Sequence, residues 1–460
     1  HGVSGDDTGK AQTAQYLGID ATDGSIRVVS YEEAETFQIE YWGDGRITLR
    51  ACSNGKLVTT RDAADQGQDG RLAATSQEAF GWFVKEIYQL SRQENDVVCE
   101  LRSWNGTPIG FDEQGCLCVP METATEDVPE EGVAGYDREA ARNKKQDTVR
   151  IGLETVRDGI AAAAKAATQA DITILYLGPN PMINCKEEID RTHLNLPEYQ
   201  QHLMESVYAA NPNTVLVLVS SIPFAISWAK EYIPAILNTA SGGMELGHGI
   251  ADVLTGDVSP AARLPMTWYR SAEDLPPMDD YDIIRGERTY QYYPGEVLYP
   301  FGHGLTYSGF DYEDLTVEVQ ECQKTDFGQE VETGMDGENV TISPASGAVR
   351  WNRPSYGTLR VKVRIRNIQS RTTDEVVQVY GRKIGSVVKR PRKTLLAFVR
   401  EKQIAADEVR TASFDIPLAD LCYYSEEQGR KVLESGVYEI MVGASSEKIC
   451  LRQRITLSGE

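Results

Sequence analysis

The sequence predicts a multidomain protein, with an all-β module first, an α/β domain with a mostly parallel sheet next, and a β-sandwich at the C-terminal end. With 460 residues, the chain is too long for one ordinary domain. Period-two strands between turn residues occupy its two ends, whereas apolar strands alternate with helical stretches in its middle. These patterns divide the chain into an irregular lead-in, the all-β module, an acidic linker, the α/β domain and the sandwich, at 1–30, 31–120, 121–148, 149–312 and 313–460.

The composition is globular, with 41% hydrophobic residues and a formal net charge of -23. Because that charge repels phosphates, it excludes nucleic acid and anionic membrane surfaces as partners. No run of about 20 apolar residues occurs, so no membrane-spanning helix is predicted. The eight cysteines are scattered without a CxxC pair and are interpreted as structural thiols, with no metal site and no cofactor expected. Unpaired thiols favour a cytoplasmic over a secreted location.

The all-β module is predicted from turn signals that recur along the chain. Gly43-Asp44-Gly45 and Ser53-Asn54-Gly55 each precede a short alternating strand. The pair Leu49-Arg50 followed by Asn54-Gly55 returns loosely 52 residues later as Leu101-Arg102 followed by Asn105-Gly106. Such repetition indicates antiparallel hairpins. Tryptophans 42, 82 and 104 of this module either fill its core or stack on sugar rings, and both interpretations stay open here.

A second pattern begins where the acidic linker ends. A helix is predicted from Val149, and the apolar run Ile172–Leu177 is predicted to be a buried parallel strand that stops at Gly178-Pro179. Alternating strands and helices follow, which indicates a doubly wound sheet. They are a helix from Pro197 to about Ala210, a strand at Thr214–Ser220, a helix around Ala225–Tyr232, a strand at Ala235–Ala240 and a helix at Met244–Leu254. Three strands are few for such a sheet, so further strands are expected before residue 1.

From about Leu315 the pattern is again all-β. Residues 359–366 alternate between apolar and basic side chains, and residues 375–380, 410–416 and 436–443 continue the series of strands. Strands at this spacing predict a sandwich of immunoglobulin type.

The candidate site is the loop Cys185–Arg191, because loops at the carboxyl ends of parallel strands collect ligands and chemistry. It carries Lys186, Glu187, Glu188, Asp190 and Arg191. Adjacent carboxylates raise each other's pKa and a neighbouring cation lowers it, so one carboxyl group there could act as a general acid. A solvated charged loop is the alternative interpretation.

Several motifs resemble known families. Residues 69–75 and 81–83 resemble the repeats of fascin-like β-trefoil domains. Glu187-Glu188-x-Asp190-Arg191 with Leu194-x-Leu-Pro197-x-x-Gln200 resembles the E-G-x-D-R…L-x-L-P-x-x-Q pattern of family 3 glycoside hydrolases. Further matches to that family and to its fibronectin-III-like closing domain lie at 242–247, 251–268, 288–290, 298–307, 375–380, 390–398 and 436–438. These motifs cover about two thirds of the chain.

This resemblance implies a retaining exo-acting β-glycosidase that removes terminal glucose or xylose. Its acid/base residue falls on Glu187, with Glu188 as the alternate because it replaces the motif's Gly, while Asp190 and Arg191 shape the loop. The family's nucleophile is an Asp in an N-terminal (β/α)₈ barrel, so the chain is expected to be a C-terminal portion that is nearly inactive alone. The implied partners are an oligosaccharide substrate, the barrel of the same polypeptide and a second copy in a homodimer. The substrate-binding residues stay unknown. A non-catalytic carbohydrate-binding module is the alternative function.

Overall fold

In a computed structural model, the described residues are 15–61, 69–81, 84–92, 98–119, 148–186, 191–320 and 357–458. The chain splits into two compact units, His1–Ile222 with Ile226–Ser241 and Pro223–Ala225 with Gly242–Glu460. The predicted linker at 121–148 lies outside the described residues except for residue 148. Among the helices described, none is both long and apolar enough to span a membrane.

The first unit begins with an antiparallel β module. Its strands are β1 Tyr16–Ile19, β2 Ile26–Val29, β3 Phe37–Gly43, β4 Arg46–Ala51, β5 Leu57–Thr60, β6 Leu72–Ser76, β7 Ile87–Arg92, β8 Val98–Ser103, β9 Gly110–Phe111, β10 Leu117–Cys118 and β11 Arg150–Gly152. The main sheet has the order β11-β8-β7-β4-β5-β6, and β3 also pairs with β4. The predicted all-β character is confirmed, whereas the trefoil assignment stays a prediction.

The hairpin β3–β4 turns at the glycine-rich signal found in the sequence. Gly43, Asp44 and Gly45 all have positive φ, at 89°, 53° and 73°. Only glycine, and less readily Asp or Asn, adopts such angles at low cost, which explains why this turn needs these residues. The core below it is apolar, with Ile47, Leu72 and Tyr88 almost fully buried.

The prediction of a helix from Val149 is wrong for its first residues. Arg150–Gly152 forms β11, which pairs antiparallel with β8, so that Ile151 lies opposite Cys99. Ile151 thereby joins the core of the β module. The helix α1 starts only at Gly159 and runs to Ala167, capped by Asp158, whose carboxylate accepts hydrogen bonds from the Ile160 and Ala161 amides.

A parallel sheet follows and matches the predicted alternation of strands and helices. Its elements are β12 Thr173–Leu177, α2 Glu198–Ala210, β13 Thr214–Val219, α3 Ser227–Tyr232 and β14 Ala235–Thr239. The order is β12-β13-β14 in the described part of the chain, with Thr173 opposite Thr214 and Val215 opposite Ala235. The central strand β13 is the most deeply buried of the three.

The strand β12 is less buried than its apolar sequence suggests. Leu175 and Leu177 are buried, whereas Ile174 and Tyr176 on the opposite face are 55% and 56% exposed. The predicted parallel strand is therefore confirmed, but within the described residues it is buried on one face only. The strand is followed by Gly178, where an added Cβ would lie 2.2 Å from the Val219 carbonyl oxygen, so only glycine fits this close approach.

The second unit is dominated by a β-sandwich. Its elements are α4 Leu246–Thr255, α5 Thr289–Tyr292, β15 Phe310–Gln320, β16 Thr358–Asn367, β17 Thr373–Lys383, β18 Thr394–Ile404, β19 Val409–Pro417, β20 Tyr423–Ser425, β21 Arg430–Val432, β22 Gly436–Gly443 and β23 Ile449–Leu457. One sheet has the order β15-β16-β19 and the other β18-β17-β22-β23. The alternating strand 359–366 places Leu359, Val361, Val363 and Ile365 in the core. The predicted sandwich is confirmed.

This unit also contains a buried ion pair. Arg263 Nη2 lies 2.8 Å from Glu375 Oε2, and the two side chains are only 8% and 4% exposed. The hydroxyl group of Tyr312 donates a 2.7 Å hydrogen bond to the other Glu375 oxygen. Burial and the neighbouring Glu375 carboxylate raise the pKa of Tyr312 well above its usual range, so this hydroxyl stays protonated and remains a donor.

Candidate functional site

The loop after β12 is organised by Asn180 as far as the structure describes it. The carbonyl oxygen of Asn180 accepts backbone hydrogen bonds from Ile183, Asn184 and Cys185 at 3.1, 3.1 and 3.2 Å. Its side-chain oxygen accepts one from the Met182 amide at 2.8 Å. The backbone N–H of Asn180 donates to the Asn184 side-chain oxygen, also at 2.8 Å. These bonds form a compact turn that leads directly into the charged segment.

This turn is anchored on the β module. Asn184 Nδ2 donates a 3.0 Å hydrogen bond to the backbone carbonyl of Trp42 on β3. Ile183 is 2% exposed and packs in a small core with Val84 and Ile87. Trp42, Ala79, Trp104 and Met182 pack against that core. The described tryptophans 42 and 104 thus fill space between the module and the loop, and Trp82 lies outside the described residues.

The chain that follows the charged segment returns to the same hairpin. His193 Nε2 lies 3.7 Å from the Asp44 carboxylate in the β3–β4 turn. The rings of Tyr199 on α2 and Tyr41 on β3 stack with centroids 5.6 Å apart. Burial, together with the neighbouring Cys99 and Tyr199, raises the pKa of Tyr41, so its hydroxyl stays neutral at physiological pH.

Hairpin β3–β4 therefore contacts the chain on both sides of the predicted acid/base segment. Of the predicted site residues, Glu187, Glu188 and Asp190 lie outside the described residues, whereas Lys186 and Arg191 are described. Burial lowers the pKa of the Arg191 guanidinium, although the nearby Cys185 opposes this change, and Arg191 keeps its charge at neutral pH. Burial also raises the pKa of the Cys185 thiol, which stays protonated and is a poor nucleophile.

Within the described ranges, no group of three or more His, Cys, Asp and Glu side chains is placed to hold a metal ion. Three of the four described histidines contact different neighbours, since His193 lies near Asp44, His248 contacts Glu245, and His303 stacks on Tyr299.

Asn180 and Asn184, which anchor the described part of the loop, are not among the site residues predicted from the sequence. A signal for Asn180 was present, because an Asn directly after a strand-ending Gly-Pro commonly bonds the amide two residues later. No local signal pointed to Asn184, whose partner Trp42 lies 142 residues earlier in the chain.

Replacing Asn184 with Ala should loosen this turn. The change removes the bond to Trp42 and the acceptor for the Asn180 amide, at a cost of about 1–2 kcal/mol. Amide hydrogen exchange over residues 178–186 should become about 5–30-fold faster. Gln114→Ala, which shortens an exposed amide side chain in the same unit, is the matched control. Equal exchange in both variants would contradict the anchoring role.

Comparisons with known proteins agree with this architecture. The family described as "Glycosyl hydrolase family 3 C-terminal domain" matches residues 26–307, and the "Fibronectin type III-like domain" matches residues 375–446. A thermostable β-glucosidase B from Acetivibrio thermocellus is 29% identical over 310 residues, which cover 65% of this chain and 37% of that protein. A β-xylosidase from Formosa agariphila is 30% identical over 294 residues, covering 63% and 36%.

Solved structures of β-glucosidases are also similar to this chain. The β-glucosidase from Kluyveromyces marxianus in complex with glucose has a TM-score of 0.53 at 28% identity, covering 67% of this chain and 34% of that one. A family 3 β-glucosidase from Bifidobacterium adolescentis has a TM-score of 0.52 at 28% identity, covering 65% and 41%. The chain spans roughly a third of the length of the curated relatives it matches. Because the first match covers more than half of its residues, the chain belongs to glycosyl hydrolase family 3, of which it contains the C-terminal domain followed by a fibronectin type III-like domain.

Proposed function

We propose that this chain supplies the acid/base side of a retaining exo-acting β-glycosidase that releases terminal glucose or xylose from oligosaccharides. The observation that carries the proposal is the loop after β12, which has the family's motif residues except that Glu188 replaces Gly, and which lies between two contacts to one hairpin. Its relatives are named β-glucosidases and a β-xylosidase, which supports these two sugars as substrates. An N-terminal barrel of the same polypeptide would provide the nucleophile and most contacts to the terminal sugar.

In this proposal Glu187 acts twice. It first protonates the glycosidic oxygen while an Asp of the barrel attacks the anomeric carbon, which leaves a covalent glycosyl-enzyme intermediate. It then removes a proton from the water that hydrolyses this intermediate, so the sugar leaves with its original anomeric configuration. Both steps need the two carboxyl groups about 5–5.5 Å apart. A loop tethered on both sides suits such a requirement, because a fixed geometry lowers the cost of reaching the transition state.

The alternative of a sugar-binding module has less support. Trp42 and Trp104 pack against a core that includes Ile183, and the indole N–H of Trp42 donates to the Thr48 hydroxyl at 3.1 Å. Side chains held in this way offer less aromatic surface for stacking on a sugar ring than exposed ones would.

The test of the function is stereochemical. The longest reading frame containing this chain should hydrolyse aryl β-glucosides or β-xylosides, and proton NMR of the first turnovers should show the β-anomer as the initial product. The 460-residue chain alone, the control, should show no turnover. Initial release of the α-anomer would exclude retention. Absence of hydrolysis, combined with glycan affinity of residues 20–120, would favour the binding-module alternative.

A further inference from the structure

We propose that the C-terminal β-sandwich contains a binding site for a small oxyanion, a carboxylate or phosphate group, lined by Arg382, Lys383 and Arg390. These residues border a small cavity at the end of β17, in which about 20 Å³ is accessible to water. The other lining residues are Gly381, Pro391, Thr394, Asp420 and Leu421. This space exceeds what one water molecule needs but is far smaller than a pocket for a drug-sized ligand, so it suits the oxygens of a single small group.

Two of the three cations are buried and share a single carboxylate as their counter-charge. The side chains of Lys383 and Arg390 are only 4% and 12% exposed. They share one carboxylate, Glu434, at 3.7 Å from Lys383 Nζ and 3.6 Å from Arg390 Nη1. Its oxygens instead accept shorter hydrogen bonds from Ser386 Oγ at 2.6 Å and the Val387 amide at 3.0 Å. Because two buried positive charges face one carboxylate, an anion in the cavity would offset the excess.

Arg382 and Arg390 each have a hydrogen-bond donor that lacks an acceptor. Among the described side chains, Arg382 Nε and Arg390 Nη1 are buried nitrogens with no hydrogen-bond partner. The rest of each guanidinium is fixed, since Arg382 Nη2 lies 2.7 Å from Glu439 and Arg390 Nη2 donates to the Leu421 carbonyl. Buried donors of this kind normally have a partner such as water or an ion. Guanidinium groups held in place in this way are well suited to the oxygens of a carboxylate or phosphate.

The surroundings of the cavity add to the positive charge. Glu439 is 4% exposed in its side chain and is shared by three guanidinium groups, those of Arg382, Arg452 and Arg454 at 2.7, 3.3 and 3.2 Å. Residues 357–458 contain 19 Lys and Arg against 12 Asp and Glu, although the whole chain has a net charge of -23. The opposing charge on the cavity wall is the exposed Asp420. Its removal should therefore strengthen the binding of an anion.

Ligand-dependent thermal unfolding of the full chain at constant ionic strength tests this site. Acetate, glucuronate and inorganic phosphate are the probes, and glucose is the neutral control. We expect a saturable rise of the unfolding midpoint with at least one oxyanion and none with glucose. A response to acetate and glucuronate but not phosphate would identify a carboxylate as the ligand, and the reverse would identify phosphate.

Charge variants localise the effect. Arg390→Gln and Arg382→Gln should each weaken the apparent affinity about tenfold or more, and Asp420→Asn should strengthen it two- to threefold. Lys402→Gln, which removes one exposed charge from β18, is the matched control and should change nothing. If Arg390→Gln fails to fold, the affinities of Arg382→Gln and Asp420→Asn still test whether the anion binds in this cavity. The proposal is overturned if glucose acts like glucuronate, or if all variants respond as the unsubstituted chain does, which would leave only water in the cavity.

Discussion

Under the proposed function, Glu187→Ala in the longest reading frame that contains this chain should lower the hydrolysis of alkyl β-glycosides by about 10²–10⁴-fold, the range typical for loss of a general acid. Such substrates have poor leaving groups and depend fully on protonation. Aryl glycosides with acidic leaving groups should lose much less in their first step, because their oxygen needs little protonation. Steady-state rates on a series of leaving groups measure this difference.

Azide provides an independent readout for the same variant. Without Glu187 no base activates the water, so the glycosyl-enzyme intermediate accumulates, and an anionic nucleophile that needs no base should release it. We expect azide to raise turnover of the activated substrate and to yield a β-glycosyl azide. A variant that is merely misfolded would show neither effect.

Glu188→Ala is the matched control, since it removes a neighbouring carboxylate from the same loop. It should keep most of the activity and show no azide rescue. The reverse result, with rescue in Glu188→Ala alone, would move the acid/base role by one residue. Full activity in both variants would refute the proposed role of this loop.

Glu375→Ala should destabilise the second unit by about 3–5 kcal/mol, because it leaves the Arg263 charge buried without its partner. The Tyr312 hydroxyl would lose its acceptor at the same time. Urea denaturation, monitored by probes within this unit, gives the free energy of unfolding. Glu426→Ala, which removes an exposed carboxylate, should change this free energy by less than about 0.5 kcal/mol.

A double substitution separates the buried charge from the packing. Arg263→Met combined with Glu375→Leu removes both charges and keeps most of the side-chain volume, so it should recover much of the lost stability. If the double variant is as unstable as Glu375→Ala, the shape of the site rather than the uncompensated charge dominates.

Local patterns predicted the elements whose own sequences are strongly periodic or continuously apolar. The strand at β12, the helix after Pro197 and the sandwich strand with Val361 and Val363 all follow from periodicity alone. The helix expected from Val149 failed because Ile151 pairs with Cys99 on β8, a contact that no local pattern reveals. Propensity yields to such tertiary pairing.

The candidate site shows the same division. Glu187 and Glu188 could be predicted as acid/base candidates from motif spacing, since the charged loop follows a clear strand pattern. Its anchoring could not, because the bond from Asn184 to Trp42 joins positions 142 residues apart. A hydrogen bond to a backbone carbonyl also leaves no trace in the partner's residue type.

The β module consequently cannot be removed or replaced without disturbing the α/β domain. Its hairpin β3–β4 touches the chain at Asn184 and at His193, and its sheet includes β11, which lies beyond the expected linker. A deletion joining residue 30 to residue 148 would remove the hairpin that contacts the loop. It would also leave Ile151 without Cys99, which lies opposite it on β8, and without the core of the β module. Transfer of the parallel sheet to another scaffold would therefore require transfer of hairpin β3–β4 as well. Substitutions in this hairpin, although far from the loop in sequence, should affect the position of the loop.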